Sequence, residues 1–491
     1  MPRPAPLDTW RLAVPQEAEG LRVEPLIRFA GQEGETVAFQ HFHFDTEQRH
    51  LALAGLSLTV LQETGQPLRQ RLSRVGSAPF RHGRNGFEEV LLQPVPDLGR
   101  LLQGRLKHAI PGHQPALTPV LVVSGERTTW QLELPEKGIL LVREERGHWK
   151  SGETTHPFRD VVIQRNSASK ARMHQLLSSL ILTWKASCSP GFPETILMPH
   201  PPEEPIWSPP SGDHPLSRLL TRLFRDGLSA LLRRLPLTQW KAASVAAHTV
   251  VEMREILHAL HGIVSAFERG APSRVAQETL TLLNEALNTL AMVWELTHVV
   301  ELSLEPLASR TPEMTATALL EEGRLRLHRE MNRVIPYLSG PSFSTLLLGL
   351  AHWSWLQPWR WRAENEHLLY LSQNGALWLK AQKALQRQRI EQSLREPFPG
   401  DYREALHPFF ETSQSWHELL FPSPGDQAFR SRWCRHLRAR EVWAASQRFK
   451  SSVSLPASVY LLEGWLAAEG HRLAAEQTLL GREWATLKEL P

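Results

Sequence analysis

The sequence has 491 residues, of which 42% are apolar and 22% are charged. This composition is typical of a globular protein and excludes an intrinsically disordered chain, and the length predicts about two to four domains. The formal net charge is only +4. Any binding site for an anion must therefore come from local clusters of basic side chains, not from the overall charge.

Only two cysteines are present, Cys188 and Cys434. They are too few for a disulfide framework or for a zinc site built on paired thiolates, and they indicate a reducing compartment. The first residues lack the apolar core of a secretory signal, and no run of 18 apolar residues occurs. We therefore expect a cytoplasmic protein.

The first 190 residues or so predict mainly short strands. These segments are rich in β-branched and aromatic residues, and Gly or Pro separates several of them. A helix is predicted at 167–187. The spacing of the strands indicates a sheet closed on itself or a sandwich. The predicted strands are 38–44, 56–62, 89–93, 120–123, 129–134, 139–143 and 160–164.

Residues 189–215 contain nine prolines, which neither a helix nor a sheet tolerates, so this segment is predicted to be a linker. From residue 216 onward, apolar residues recur every three to four positions, which predicts helices. About eight to ten helices fit the pattern. The predicted organisation is thus a β-rich domain over 1–188, a linker over 189–215 and an all-α domain over 216–491.

Generic catalytic motifs are missing: the sequence has no Gly-rich phosphate loop, no dinucleotide fingerprint and no His-Glu-x-x-His zinc helix. His41 and His43 lie two residues apart, so both face one side of a strand. They could hold a metal ion, but a pair of strand histidines with hydrogen-bonded rings is the favoured interpretation. Arg432, Arg435 and Arg438 lie in a basic segment and are predicted to bind a polyanion, with a solvated surface as the alternative.

One stretch has the order of a known signature. From His43, the sequence HFDTEQRHLALAGLSLTVL resembles the CYTH domain, in which an aromatic pair, Asp-Thr, Leu and Gly precede a Leu-Arg-x-Arg element. Upstream, residues 24–29 stand where that family carries Glu-x-Glu-x-Lys, and residues 127–130 resemble a later Arg-x-x-Trp. The resemblance implies an α+β protein whose first domain is an antiparallel β tunnel.

The helical half resembles the CHAD domain, which follows CYTH in some bacterial proteins. Residues 247–254 and 401–408 carry this similarity. A typical first CHAD helix reads His-x-x-Arg-x-x-x-Arg-Arg. Counted from His248, the three arginine positions of this pattern are occupied here by Val251, Glu255 and Ile256. The whole chain is therefore similar to the CYTH–CHAD inorganic triphosphatases of the triphosphate tunnel metalloenzyme family, with degenerate motifs.

In that family, inward-facing Lys and Arg neutralise a triphosphate, and a cluster of Glu holds Mg²⁺ or Mn²⁺, which activates water. The resemblance leaves Glu24 and Asp160 as the metal ligands, and Arg28, Arg84 and Arg127 as the phosphate ligands. No catalytic residue is identified. Expected ligands are replaced by the following residues: Leu26, Thr59, Leu61, Val162 and Gln164.

Three functions follow from this damaged pattern. The favoured one is binding of triphosphate or polyphosphate with catalysis weakened or lost, and four or more acids converging in the tunnel would speak against that loss. The second is an active metal-dependent triphosphatase, in which Glu88, Glu89 or Glu153 supplies a missing carboxylate. The third is a non-enzymatic scaffold for a protein partner. Neither a membrane nor a nucleic acid is an expected partner.

Overall fold

The structure is a computed structural model. It describes 9–15, 34–53, 56–74, 87–97, 116–133, 139–165, 170–188, 214–240, 243–270, 273–311, 314–356, 365–395, 424–454 and 456–488. Structural statements below concern these residues.

An antiparallel sheet of nine strands forms the N-terminal part of the chain, as predicted. The strand order is β5-β4-β3-β2-β6-β7-β8-β1-β9. A closed tunnel would need its two end strands to pair, and β5 and β9 are the unpaired ends of this order among the described strands. Closure into a tunnel therefore stays a prediction. The strands are β1 Thr9–Ala13, β2 Glu35–Asp45, β3 Leu56–Glu63, β4 Arg69–Arg74, β5 Phe87–Val90, β6 Thr118–Glu133, β7 Ile139–Ser151, β8 Thr154–Arg165 and β9 Ser187–Cys188.

Strand β6 is continuous where the sequence predicts two strands, at 120–123 and 129–134. Gly125, which lies between them, is opposite Gly147 of β7. A Cβ atom on Gly125 would lie 2.1 Å from the Arg146 carbonyl oxygen, and one on Gly147 would lie 2.0 Å from that of Ser124. These glycines therefore permit a close approach of two strands, and do not mark a turn.

The sheet has two chemically different faces, because side chains alternate along each strand. One face presents apolar residues such as Trp10, Leu12, Val142, Val161 and Ile163, all of them buried. The other carries charged residues toward one end. Toward its other end it carries a buried apolar cluster of Phe39, Leu121, Val123 and Trp149.

The Asp-Thr pair of the CYTH-like signature caps a short helix, α1 His50–Leu53. Asp45 is buried, and its carboxylate accepts hydrogen bonds from the backbone N–H groups of Thr46, Leu51 and Ala52 at 2.7–3.0 Å. The Thr46 hydroxyl accepts from the His50 N–H at 3.0 Å. These bonds satisfy N–H groups that the start of a helix leaves without partners. Within the described structure, the signature thus has a structural role.

Eleven further α-helices follow among the described residues. They are α2 Lys170–Trp184, α3 Leu216–Trp240, α4 Ala243–Gly270, α5 Arg274–Val299, α6 Glu305–Arg310, α7 Met314–Leu338, α8 Pro341–Leu356, α9 Asn365–Ser372, α10 Gly375–Arg395, α11 Pro424–Lys450 and α12 Pro456–Lys488. A π-helix, Val300–Leu304, separates α5 from α6.

Two compact units divide the chain. The first comprises Met1–Glu204, Ser229–Trp240 and Tyr337–Leu356, and the second comprises Pro205–Leu228, Lys241–Pro336 and Gln357–Pro491. Segments of α3 and α7, and all of α8, thus group with the sheet, although they follow the predicted linker. The domain boundaries at 188 and 216 stay a prediction.

In the first unit, α8 packs against α2 and β9. Cys188 of β9 is buried and free, and its N–H donates to the Ser344 hydroxyl at 2.8 Å. Burial raises the pKa of the Cys188 thiol to about 12, so this thiol stays protonated at neutral pH.

In the second unit, apolar side chains of α5, the π-helix, α7, α11 and α12 form a core that includes Val300, Leu304 and Phe449. Gly323 of α7 lies against this core, because a Cβ atom there would meet the Leu304 side chain at 2.6 Å. No single described helix is long and apolar enough to cross a membrane. Only α7 and the first part of α8, taken together and bent at a break, reach that length and composition.

Candidate functional site

Ten described charged side chains of the strands share one face of the sheet, which we call the charged face; one of them, Glu35, is exposed at the start of β2. The other nine come from seven strands, and the register places them on the same side, because residues opposite each other in antiparallel strands point the same way. The nine are Arg11, Glu63, Arg69, Arg71, Glu88, Arg127, Arg143, Glu145 and Asp160. Eight of them form a continuous series of ion pairs in which acids and bases alternate.

The buried end of this series is formed by β1, β6, β7 and β8. Arg11 donates to Asp160 through Nε at 2.6 Å and to Glu145 through Nη2 at 2.8 Å. Arg127 donates through Nε to the other oxygen of Glu145, at 2.8 Å. The side chains of Asp160 and Arg11 are only 4% and 10% exposed. The two guanidiniums thus compensate carboxylates that are largely removed from water.

The more exposed end lies on β3, β4 and β5. Glu63 accepts from Arg127 Nη1 at 2.8 Å and lies 3.5 Å from Arg69 Nη2. Glu88 accepts from Arg69 at 2.8 Å and lies 3.0 Å from Arg71 Nη2. The Arg71 side chain is 40% exposed. At this end, the cations are accessible to a ligand from solution.

Arg143 is the cation of the charged face that stands outside the series. Among the described residues, no carboxylate lies within ion-pair distance of its guanidinium. Burial lowers the pKa of Arg143 most strongly, and the positive charges of Arg127 and Arg71 lower it further, against the opposing effect of Glu145 and Glu63. Four acids balance four bases in the series, and Arg143 adds one positive charge to these eight residues; the exposed Glu35 is the one further acid of the face among the described side chains.

The carboxylates of Glu145 and Glu63 stay ionised far below neutral pH. Burial would raise the pKa of Glu145, but Arg11 and Arg127 outweigh it and hold that pKa at about 2. For Glu63, a hydrogen bond with His41 and then those of Arg127 lower the pKa to about 2. The His41 contact is 3.5 Å long, so the 2.8 Å bond from Arg127 is the firmer of the two.

His41 and His43 face the same side of β2, as predicted, and that side belongs to the charged face. The His43 ring is fully buried, with Nδ1 3.1 Å from the Thr59 hydroxyl, and burial lowers its pKa to about 3. His41 lies beside Glu63. These contacts agree with the interpretation of two hydrogen-bonded strand histidines, although Nε2 of His43 has no partner among the described residues.

The residues that the structure describes do not fit a divalent cation. No group of three or more His, Cys, Asp or Glu side chains among them is arranged to hold a metal ion. Glu145 and Asp160 are oxygen donors of the kind that Mg²⁺ and Mn²⁺ prefer, but Arg11 lies between them. Burial raises the pKa of Asp160 despite the charge of Arg11, which weakens it further as a ligand.

Of the predicted site residues in the sheet domain, Arg127 and Asp160 lie on the charged face. Glu24, Arg28 and Arg84 lie outside the described residues. Five members of the ion-pair series were not predicted from the sequence: Arg11, Glu63, Arg69, Arg71 and Glu145. Glu88, considered there as a substitute carboxylate, does lie on the charged face. The alternation of charged residues along β4, Arg-Gln-Arg, was the available signal.

Four of the five predicted departures from the CYTH pattern also lie on this face, and Leu26 lies outside the described residues. Thr59 and Leu61 are opposite His43 and His41 in the pairing of β3 with β2. Val162 is opposite Arg143, and Gln164 is opposite Leu141. The face is therefore lined by apolar or neutral side chains at positions where the resemblance expects charged ligands.

In the second unit, the arginines predicted to bind a polyanion have carboxylate neighbours. Arg432 pairs with Glu483, and Arg438 donates to Glu255 at 2.8 Å. Arg435 is exposed and lines a cavity of about 410 Å³ together with Arg438 and residues of the π-helix and α12. The polyanion site stays a prediction.

The CHAD-like motif also has structural partners. His248 lies 2.9 Å from Glu301 of the π-helix, and the guanidinium of Arg254 lies over the Trp294 ring at 5.2 Å from its centroid. Arg254 is buried. Arg254 lies three positions after Val251, where the CHAD pattern expects an arginine, and it packs α4 against α5.

No profile of a known protein family matches the sequence, and no curated protein is significantly similar to it. Among solved structures, one similar protein comes from Hippeastrum, is named as an adenylyl cyclase and has a reported dominant triphosphatase activity. It is 13% identical, with a TM-score of 0.23, and the match covers 37% of this chain and 90% of the other. Another comes from Bacillus halodurans and is named as an adenylate cyclase. It is 14% identical, with a TM-score of 0.24, and the match covers 38% of this chain and 93% of the other.

Proposed function

We propose that the charged face binds an anion with phosphate groups, such as triphosphate, and that Arg71, Arg127 and Arg143 contact it. The observation that carries the proposal is the position of Arg143, which lies near two other arginines and has no carboxylate within ion-pair distance in the described part of the chain. Like charges at such a place repel each other, and a bound anion would relieve that repulsion.

The chemistry of the side chains supports a phosphate ligand in particular. A guanidinium presents a planar set of N–H donors that matches two oxygens of a phosphate group, and it keeps its charge in a partly buried place. The accessible end of the series supplies Arg69 and Arg71, and the buried end supplies fixed carboxylates. A polyanion would therefore bind at the accessible end and along Arg143.

The alternatives are an active hydrolase and a scaffold. Four carboxylates belong to the ion-pair series, so a shortage of acids is no reason to expect lost catalysis; what supports weakened catalysis is that each of these four is neutralised by arginine. Glu88 favours the hydrolase, since it is an acid on the charged face that would replace a carboxylate missing from the family pattern. A scaffold would need neither the ion-pair series nor Arg143.

The test is a thermal shift of the full chain with tripolyphosphate. We expect stabilisation in EDTA, because a ligand that binds only the folded state raises its stability by RT ln(1 + [L]/Kd). Arg143→Gln should reduce the shift. Arg146→Gln is the matched control, because Arg146 is an exposed residue on the other face of the same strand. A shift that persists unchanged in Arg143→Gln, or no shift for any phosphate compound, would contradict the proposal.

The same sample distinguishes the alternatives. An active hydrolase should release phosphate from tripolyphosphate when Mg²⁺ or Mn²⁺ is added, and Glu88→Gln should lower that rate if Glu88 is a substitute ligand. A scaffold should give neither a shift nor phosphate release. Binding without release is the outcome that the proposed function predicts.

A further inference from the structure

Arg11 has an unusual position on the charged face. Glu145 and Asp160 are directly opposite each other in the pairing of β7 with β8, so their carboxylates are cross-strand neighbours. Two adjacent buried carboxylates repel each other unless a cation lies between them. Arg11 supplies that cation, with Nε 2.6 Å from Asp160 Oδ2 and Nη2 2.8 Å from Glu145 Oε2.

The second oxygen of Glu145 and one oxygen of Glu63 are also engaged. Arg127 donates to Glu145 Oε1 and to Glu63 Oε1, both at 2.8 Å. A divalent ion needs several oxygen ligands at once, and Mg²⁺ needs six in nearly octahedral geometry. It would have to displace two guanidiniums to obtain them, and it would then lie beside their positive charges in a poorly hydrated place.

We propose that Arg11 takes the place of a divalent cation between Glu145 and Asp160, so that the charged face binds its anion without a metal ion. A guanidinium fixed on β1 in place of a mobile cation keeps Glu145 ionised and compensates the charge of the two neighbouring acids. The consequence for the ligand rests on the proposed function. The role of Arg11 is independent of the proposed function, because it concerns only which cation the two carboxylates accept.

The test is a calorimetric titration of Mn²⁺ into the full chain. We expect no saturable binding to the wild-type protein at millimolar concentrations. Arg11→Gln removes the guanidinium, whose positive charge repels Mn²⁺ from the two acids. The affinity of this variant for Mn²⁺ should therefore rise by at least about tenfold. The double variant Arg11→Gln with Asp160→Asn is the matched control and should lose that gain.

Two results would overturn the inference. One is saturable Mn²⁺ binding to the wild-type chain that Asp160→Asn abolishes. The other is a folded Arg11→Gln protein, shown by its circular dichroism spectrum, that gains no affinity. If Arg11→Gln does not fold, the wild-type titration decides alone. The proposed function and this inference fail in different ways. If the proposed function is wrong, tripolyphosphate gives no thermal shift in any buffer. If only this inference is wrong, tripolyphosphate gives a thermal shift that appears only when Mg²⁺ or Mn²⁺ is added.

Discussion

Arg69 on β4 lies directly opposite Leu61 on β3. The CYTH-like pattern expects an arginine at position 61 and another at 59, and Arg71 likewise lies opposite Thr59. Residues opposite each other in antiparallel strands point to the same face. The charged face therefore has two guanidiniums beside positions 59 and 61, but β4 supplies them and not β3.

This exchange predicts that Arg71 contributes to anion binding. Arg71→Gln should weaken tripolyphosphate binding by roughly tenfold, because a charge-assisted hydrogen bond to a phosphate is lost. Isothermal titration at fixed ionic strength measures the change, with Arg146→Gln as the control on the other face. Equal affinities for the wild type and Arg71→Gln would show that the displaced arginine has no role in binding.

How much of this site the sequence could predict depends on the strand. Strand β2 was predicted from its content of β-branched and aromatic residues, and its observed bounds, 35–45, include the predicted 38–44. Strands β1 and β4 were missed. The first has five residues, and the second reads Arg-Gln-Arg-Leu-Ser-Arg, which no propensity favours as a strand. Both are specified by pairing with β8 and β3, which only the folded chain reveals.

The ion-pair series was missed for a related reason. Glu145 lies 134 residues from Arg11 along the chain, and Arg127 lies 64 residues from Glu63. A motif search reads spacing along one strand, so it finds Asp160 and Arg127 but not the residues on other strands that pair with them. The register across the sheet, which brings these side chains together, depends on contacts distant in sequence.

Removing Glu145 should affect stability and binding in opposite directions. In Glu145→Gln, Arg11 and Arg127 lose a shared carboxylate while they stay largely buried, and breaking a buried ion pair from one side costs about 3–5 kcal/mol. We expect a lower midpoint in urea unfolding and a higher affinity for tripolyphosphate, since two guanidiniums are freed. A midpoint equal to that of the wild type would mean that the buried end of the series is not a stabilising unit.

The first unit should lose stability in mild acid through His352. The rings of His352 on α8 and His174 on α2 stack at 3.7 Å between centroids, and burial, with the charge of His174, lowers the pKa of His352 to about 4. The unfolded chain, with a His pKa of about 6.5, therefore binds the proton more readily. The stabilisation is complete above about pH 6.5 and is lost as the pH falls toward 4.

We expect His352→Phe, which keeps an aromatic ring in the stack, to flatten this pH dependence by about 2 kcal/mol between pH 6.5 and 4. Unfolding followed by circular dichroism at several pH values measures it. His471→Phe, a change at an exposed histidine of α12, serves as the control. If both variants keep the slope of the wild type, the stacked pair does not carry the acid sensitivity.

In the second unit, we propose that Arg432, Arg435 and Arg438 bind polyphosphate in competition with their carboxylate neighbours. Glu255→Gln frees Arg438 from its 2.8 Å pair and should therefore raise polyphosphate affinity, while the triple Arg→Gln variant should abolish binding. The affinity of the wild type should fall steeply between low and moderate salt, as for other polyanion sites. Binding that is insensitive to salt would exclude this cluster.

The most direct test of the central claim is isothermal titration of tripolyphosphate into the full chain in EDTA, for the wild type, Arg143→Gln and Arg146→Gln. The account predicts saturable binding to the wild type and to Arg146→Gln, and a loss of affinity of roughly tenfold or more in Arg143→Gln. The same affinity in all three proteins, or no binding in any buffer, would contradict it.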